Sequence, residues 1–451
     1  MKITVIGAGH IGLITSLCFA EKGHQVLCVD NNSEKINQIN NGNFPFYEKG
    51  LPDFFDRHHK TKSIFFTDNF KQVFEFSTLV FIAVGTPSLA NGSADLTQIH
   101  LVLKTLEQQK KPHQQKPIIV IKSTVPPGTN SQLTQLYKNF DFVSNPEFLR
   151  EGSAIADGLS PERIVVGSYD KVSLEQLKRI YLPWINADIP FLTMSPESAE
   201  LSKYAANTFL AARISLINEF SQICEKTGAH IDSVTEAIGL DRRIGPDFLK
   251  SGLGYGGSCF PKDIKALIEL IKQLNIAPSL INEIQNVNKK QLETFCTKIL
   301  KHIEKQVQTH KSNSADYSFN IAFWGLAFKP NTNDTRESPA IALLNSLTTQ
   351  SIQSKINLSF YAHDPMSQMM DLSSLKKDKL LNLTGLDDIY TSLNHADLLI
   401  IATDWDLYRN ADLSQIKSKL KTPVVFDGRN LFSNKKMHDH GLEYYAIGNP
   451  Q

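Results

Sequence analysis

Gly7-x-Gly9-x-x-Gly12 stands directly after a short β-branched run, Ile3–Ile6, and opens a helical pattern that reaches about Lys22. A second run, Gln25–Asp30, comes next and ends on an acid 18 residues after Gly12. Strand, glycines, helix, strand and acid in that order restrict the chain to a βαβ unit built around a dinucleotide. The glycines serve a tight turn, a close approach of backbone to pyrophosphate, and close helix-to-strand packing, with the phosphates meeting the helix N-terminus. Asp30 would accept hydrogen bonds from the adenosine ribose hydroxyls and repel a 2′-phosphate, which favours NAD over NADP. The run Met1–Ala20 has the outline of a signal peptide, but three glycines and His10 interrupt it and no A-x-A-like site comes after it. It reads as strand into helix.

Further strand patterns at Leu79–Val84, Ile118–Ser123 and Asp141–Ser144 alternate with helical ones, which implies a parallel sheet covered on both faces. At Ser195-Pro196 the pattern turns to a long helix, with Ser195 as N-cap and Pro196 at the first helical position. Leu201, Ala205, Phe209, Ala212, Leu216 and Phe220 keep one apolar face of that helix over several turns. The helical region continues to about Lys305, and a polar stretch, His310–Ser318, precedes a second set of strands at Asn320–Trp324, Leu358–Tyr361, Asp397–Ala402 and Val424–Asp427. The fold class is therefore α/β: two Rossmann-like parallel-sheet domains joined by a helical middle domain with a long central helix. The boundaries expected are 1–195, 196–309 and 310–451. Gly325-Leu326-Ala327-Phe328-Lys329, after the first strand of the second set, does not repeat the fingerprint, and Gln108–Pro117 reads as an exposed loop.

A length of 451 residues suits about three domains of ~150 residues. With 47 Lys+Arg against 46 Asp+Glu, no global charge draws the chain to nucleic acid or a membrane surface. No stretch of ~18 apolar residues suggests a transmembrane helix. The five cysteines, Cys18, Cys28, Cys224, Cys259 and Cys296, are scattered without a CxxC pair. A disulfide framework and a structural metal site are both disfavoured, and a reducing cytoplasm fits.

Cys259 differs from the other four. Gly252–Ser258 is a glycine-rich loop leading into a helix start with Pro261 in its first turn. A thiol at a helix N-terminus beside Lys262 is placed to ionise, which makes Cys259 the nucleophile candidate. Asp263 stands at i+4 from it, and Lys203 and Asn207 share the same spacing on the long helix, where they are either a solvated face or part of a site. Thr124 comes directly after a strand, at the sheet edge where open α/β sheets bind ligands. Glu147 and Glu151 are either paired acids or surface carboxylates.

Taken together, IGAGHIGL, FIAVGTPS with NGSADL, KSTVPPGT, NPEFLREG, SKYAANTFLA, RRIGPDFLKSGLGYGGSCFPKD, GLAFKPNTNDTRES and FDGRN resemble the nucleotide-sugar 6-dehydrogenases, from Lys2 to about Asn430. The resemblance implies an NAD-dependent four-electron oxidation, of UDP-glucose most closely, by a cytoplasmic homodimer or a multiple of it. It implies that Cys259 forms the covalent adduct, that Lys203, Asn207 and Asp263 surround the reacting oxygen, that Thr124 holds a water and that Glu147 is the base for thioester hydrolysis. Cofactor contacts are implied for Gly7, Gly9, Ile11, Gly12, Asp30, Lys35, Thr86, Thr124, Glu151 and Arg336. Substrate contacts are implied for Phe148, Leu149, Glu151, Lys203, Asn207, Arg243, Phe248, Leu249, Tyr255, Gly256, Lys329 and Arg429, with Arg243 reaching a neighbouring subunit in some relatives. Arg336 and Arg429 would otherwise be surface ion pairs of little worth. His10 stands where the family commonly has tyrosine, and properties of any longer C-terminal tail are not carried over. Rival readings are a UDP-N-acetylmannosamine or GDP-mannose dehydrogenase, a two-electron 3-hydroxyacid-type dehydrogenase that needs no thiol, and a non-catalytic NAD-binding regulator.

Overall fold

The structure, a computed structural model, describes residues 1–110, 116–310, 318–354, 356–370, 372, 383–385 and 388–450. Residues 111–115 of the expected loop Gln108–Pro117 and 311–317 of the polar stretch His310–Ser318 lie outside the described residues. The chain forms two compact units, Met1–Asn207 with Lys262–Ala277, and Thr208–Pro261 with Pro278–Gln451.

The first unit is built on an eight-stranded sheet: β1 (Lys2–Ile6), β2 (Gln25–Val29), β3 (Ile64–Thr67), β4 (Leu79–Ile82), β5 (Ile118–Ile121), β6 (Asp141–Ser144), β7 (Ile164–Gly167) and β8 (Phe191–Met194), in the order β3-β2-β1-β4-β5-β6-β7-β8. Every neighbouring pair is parallel except β6 and β7. Strands such as Leu79-Val80-Phe81-Ile82 are buried throughout because both faces are covered, and the period of two divides them. Phe81 joins Ile3, Val5, Leu13 and Leu17 on one side, while Val80 and Ile82 join Ile6, Ile99 and Leu103 on the other. The order reverses between β1 and β4, which opens a crevice at their C-terminal ends, the place where such sheets bind nucleotides.

The second unit holds a six-stranded all-parallel sheet: β9 (Ser318–Trp324), β10 (Asn357–His363), β11 (Leu383–Gly385), β12 (Leu398–Ile401), β13 (Val424–Asp427) and β14 (Glu443–Ala446), in the order β11-β10-β9-β12-β13-β14. The turn after its first strand repeats that of the first sheet. Gly7 N–H donates to Val29 O at 2.7 Å, and Gly325 N–H donates to His363 O at 2.8 Å. Each glycine has a left-handed φ, +105° and +96°. Asp30 accepts from Ala8 N–H as Asp364 accepts from Leu326 and Ala327 N–H. The two turns differ in how soon a helix begins, at His10 directly after the first but only at Pro339 after the second. The second sheet therefore lacks a helix N-terminus abutting its turn.

Between the two sets of strands the chain is helical, as the sequence pattern leads one to expect. Helix Pro196–Thr227 begins at the expected cap, with Ser195 Oγ accepting from Ser198 N–H at 3.2 Å. Helix Ser279–His310 is equally long, at 32 residues. On the apolar face of the first long helix, Leu201, Phe209, Leu216 and Phe220 are all exposed, joined by Ile223. Among the described residues, no helix is long and apolar enough to cross a membrane, and no group of three or more His, Cys, Asp or Glu could hold a metal ion.

Candidate active site

The cofactor turn is built by close packing. A Cβ on Gly12 would lie 1.7 Å from Gly7 O, and one on Gly7 would lie 2.6 Å from Ala83 O, so both positions exclude any side chain. A Cβ on Gly9 meets nothing, which leaves open space beside the N-terminus of helix His10–Glu21. That is the space a pyrophosphate needs. Asp30 directly follows β2 and is 6% exposed, with Oδ2 accepting from Ala8 N–H and Lys35 Nζ and Oδ1 from Asn32 N–H. One lone pair of Oδ1 remains for a ribose hydroxyl. These residues fit a dinucleotide. Ile11 lies partly open on the same helix, and Thr86 Oγ1 donates to Thr124 O at 2.8 Å, joining the loops after β4 and β5. His10 packs edge-on against Phe46 and pairs through Nε2 with Glu48 at 3.1 Å.

The same unit carries a buried polar cluster. Lys203 and Asn207, one turn apart on the long helix, are not a solvated face: they are 4% and 6% exposed. Lys203 Nζ meets Glu147 Oε1 at 2.9 Å, and Asn207 Nδ2 donates to Asp263 Oδ2 at 2.6 Å. Glu147 is accordingly no surface carboxylate. Burial pushes its carboxyl up, but the Lys203 charge and hydrogen bond, the Leu149 N–H and the Lys122 charge outweigh burial and hold it below the usual range. Lys262, expected to ease ionisation of the neighbouring thiol, instead donates to Asp263 Oδ1 at 2.6 Å. Phe148 lies under Arg163 at 3.8 Å and Lys203 at 5.4 Å, and Glu151 is partly exposed beyond it. Thr124, Ser144, Pro146, Glu200 and Lys203 line one small cavity.

In the other unit, Cys259 immediately precedes helix Phe260–Gln273 and is the one cysteine that is not buried. Burial pushes the Cys18 and Cys28 thiols up to about 12 and also raises those of Cys224 and Cys296. The glycines before Cys259 are required by the protein's own packing. A Cβ on Gly256 would meet Glu337 O at 2.2 Å, and one on Gly257 would meet the Phe328 ring at 2.6 Å. Leu249 and Tyr255 are buried, and Phe248 holds a left-handed φ of +60°. Arg429 is fixed by donating to Ala402 O at 2.8 Å and Phe328 O at 3.1 Å, which removes it from the class of surface ion pairs. Lys329 stacks over Phe328. Arg336 and Arg243 are exposed, each held by a carboxylate two residues away, Asp334 and Asp241.

Three groups of this site had no signal of their own in the sequence. Lys122, within KSTVPPGT, is buried and donates to Asn145 Oδ1 at 3.3 Å. Burial brings its ammonium down to about 8, against the pull of Glu147. Glu200 accepts from Gly128 N–H, Asn130 N–H and Ser144 Oγ, and burial pushes it up to about 7. Glu48 accepts from the backbone of Gly152 and Ala154. A period of 3.6 marks a helix face but not which carboxylate will meet a distant amide.

Comparison with known proteins agrees with this architecture. Residues 1–185, 197–290 and 322–434 match, in turn, the models of the NAD binding, central and UDP binding domains of the UDP-glucose/GDP-mannose dehydrogenase family. The chain is 38% identical over 456 residues to UDP-glucose 6-dehydrogenase TuaD of Bacillus subtilis, covering 100% of this chain and 93% of that protein. It is 36% identical over 462 residues to the UDP-glucose 6-dehydrogenase of Pseudomonas aeruginosa, covering 100% and 98%. Among solved structures, a UDP-glucose dehydrogenase from Pyrobaculum islandicum superposes with a TM-score of 0.84 at 32% identity, covering 100% of this chain and 98% of that one.

Proposed function

Because the chain belongs to the UDP-glucose/GDP-mannose dehydrogenase family and is an NAD-dependent oxidoreductase, we propose that it oxidises UDP-glucose to UDP-glucuronate through a covalent adduct on Cys259. The observation that carries this reading is the buried cluster of Lys203, Glu147, Asn207 and Asp263, in which two donors and two carboxylates sit paired in the unit that bears the dinucleotide turn. We divide the roles as 1–195 for NAD, 196–309 for the helical dimerisation region and 310–451 for the nucleotide sugar.

Bound NAD supplies the hydride acceptor for each of two oxidations. In the first, the sugar's C6 loses hydride, its hydroxyl proton passes to water, and an aldehyde results. The Cys259 thiolate then adds to the carbonyl carbon, forming a C–S bond and a thiohemiacetal alkoxide. Loss of a second hydride from that carbon leaves the thioester. Water attacks it, its proton passes to Glu147, the C–S bond breaks, and the thiolate returns with release of the acid. Lys203 carries three N–H donors and Asn207 two, from which one each would turn to the alkoxide or oxyanion. Such a donor typically contributes ~2.7–4 kcal/mol to the transition state. When Lys203 turns toward the oxyanion, Glu147 loses its nearest charge and becomes the stronger base.

The family resemblance, together with the exposed stripe Leu201, Phe209, Leu216 and Ile223, supports a homodimer or a multiple of it. The scattered thiols suit a reducing cytoplasm. The test of the reaction is NADH yield per UDP-glucose with intact-protein mass spectrometry. Wild type should give two NADH. Glu147→Gln should transfer both hydrides once and stall with an acyl group mapped to Cys259. A yield of one or none, or an acyl group on another cysteine, overturns the reading. Replacing UDP-glucose by UDP-N-acetylmannosamine or GDP-mannose in the same assay decides the sugar.

A further inference from the structure

Glu48 is 3% exposed and lies in the loop between helices Ser33–Asn40 and Leu51–Lys60, with no part in the reaction steps proposed for this site. Its carboxylate gathers three donors. Gly152 N–H donates to Oε2 at 2.9 Å, Ala154 N–H donates to Oε1 at 2.9 Å, and His10 Nε2 lies 3.1 Å from Oε2. An ionised carboxylate only accepts, so this geometry sets Nε2 as the protonated nitrogen of His10. The ring is held from a second direction by the edge-on contact with Phe46, at 4.7 Å between centroids.

The partners of Glu48 belong to two different parts of the chemistry. His10 is the first residue of helix His10–Glu21, directly after Gly9, and so stands at the turn that receives the dinucleotide phosphates. Gly152 and Ala154 close the segment Asn145–Ala154, on which Glu147 sits. The near end of that segment is fixed independently, with Asn145 Nδ2 donating to Val165 O at 2.8 Å and Tyr181 OH donating to Asn145 Oδ1 at 2.6 Å. The far end is held by Glu48, and Glu48 in turn is held by His10.

We propose that His10 and Glu48 are positioning residues that couple occupancy of the dinucleotide turn to the order of the segment carrying Glu147. A phosphate over Gly9 confines His10 against Phe46, which holds the Glu48 carboxylate on the Gly152 and Ala154 amides. The turn left open frees His10, and the far end of the segment is held less firmly. In a reaction that must take up a second dinucleotide while the sugar stays attached, such a link keeps the hydrolytic base in register when the turn is loaded. That last consequence rests on the proposed UDP-glucose oxidation; the coupling itself does not.

The experiment is amide hydrogen exchange on the full-length protein with and without saturating NADH, tracked in peptides spanning Gly152 and Ala154. In wild type, NADH should slow exchange there several-fold. His10→Ala, with ligand raised to saturate it, should lose that slowing, and His10→Gln, which keeps an N–H donor at a similar reach, should restore it. Affinity for NADH, read by its fluorescence, gives a double-mutant cycle of His10→Ala with Glu48→Gln, in which the two losses should be markedly less than additive. Equal protection in His10→Ala and wild type, no protection in wild type, or additive losses would each overturn the coupling. Since none of these readouts needs turnover, a failure of the UDP-glucose reading would appear separately, in the NADH yield.

Discussion

Two buried side chains of the cluster each make stability rise with pH, in different windows. Glu147 is held below its ordinary value, so its contribution to stability is present above the unfolded carboxylate range, near 4.3, and is lost as pH falls through the lower folded value. Lys203→Met removes the partner and leaves burial to dominate, which raises the carboxyl. Breaking a buried pair from one side typically costs ~3–5 kcal/mol. The variant should therefore melt well below wild type at pH 7 and recover part of the difference at pH 5, where protonation discharges Glu147; a deficit that does not shrink at pH 5 would contradict this. Lys122 has the same sign in a more alkaline window. Its ammonium is brought down to about 8, so between about 8 and the ordinary 10.5 the unfolded chain binds the extra proton and stability rises with pH. Subtracting the denaturation profile of Lys122→Met from that of wild type should leave a rise on the order of 3 kcal/mol at most across that window. At this scale the sequence was legible where residue type and position coincide. Cys259 comes after a glycine loop and directly precedes a helix, and Lys203 and Asn207 share a face. Lys122, Glu200 and Glu48 were not legible, because what distinguishes them is a partner tens of residues away in the chain.

Among elements, the long helix Pro196–Thr227 was readable at its start and on its apolar face, but what covers that face was not. Ser195 and Pro196 cap it as local chemistry dictates, and Ser195→Ala should lower stability by about 1 kcal/mol, measured by chemical denaturation. Periodicity reports that a face is apolar without saying whether the chain or a second copy covers it. Leu201, Phe209, Leu216 and Ile223 are exposed among the described residues, which is why a second copy is proposed there. Phe209→Glu with Leu216→Glu should thus shift light-scattering mass toward 50.5 kDa, and an unchanged mass would remove this face from the interface. The strands obey the same logic. Long apolar runs such as Ile118–Ile121 announce themselves, whereas β8, Phe191-Leu192-Thr193-Met194, is a sheet edge with little burial and has no core pattern to read. The second nucleotide-type turn was obscured for a different reason. Its glycine and acid are present as Gly325 and Asp364, but its helix starts 13 residues after Leu326, so the spacing that makes a fingerprint is gone.

At the scale of the whole molecule, chain order and spatial order part company. The first unit takes in Lys262–Ala277 after the chain has left it at Asn207, and with that return comes Asp263, the partner of Asn207. The sheet alone would suggest that a fragment ending at 195 contains a finished dinucleotide domain. Such a fragment keeps the turn at Gly7–Gly12 but lacks the helix that contributes Ile264, Leu267 and Ile268, all buried in the full chain. It should bind a hydrophobic dye and be cleaved by protease at concentrations that leave the full chain intact. A protein made from its N-terminus meets the same problem in time: although β8 ends at Met194, a ribosome must still add the residues through Ala277 before the unit can close. Its early-made half therefore waits, partly open, for a segment synthesised later, and that interval is where a chaperone would have most to do.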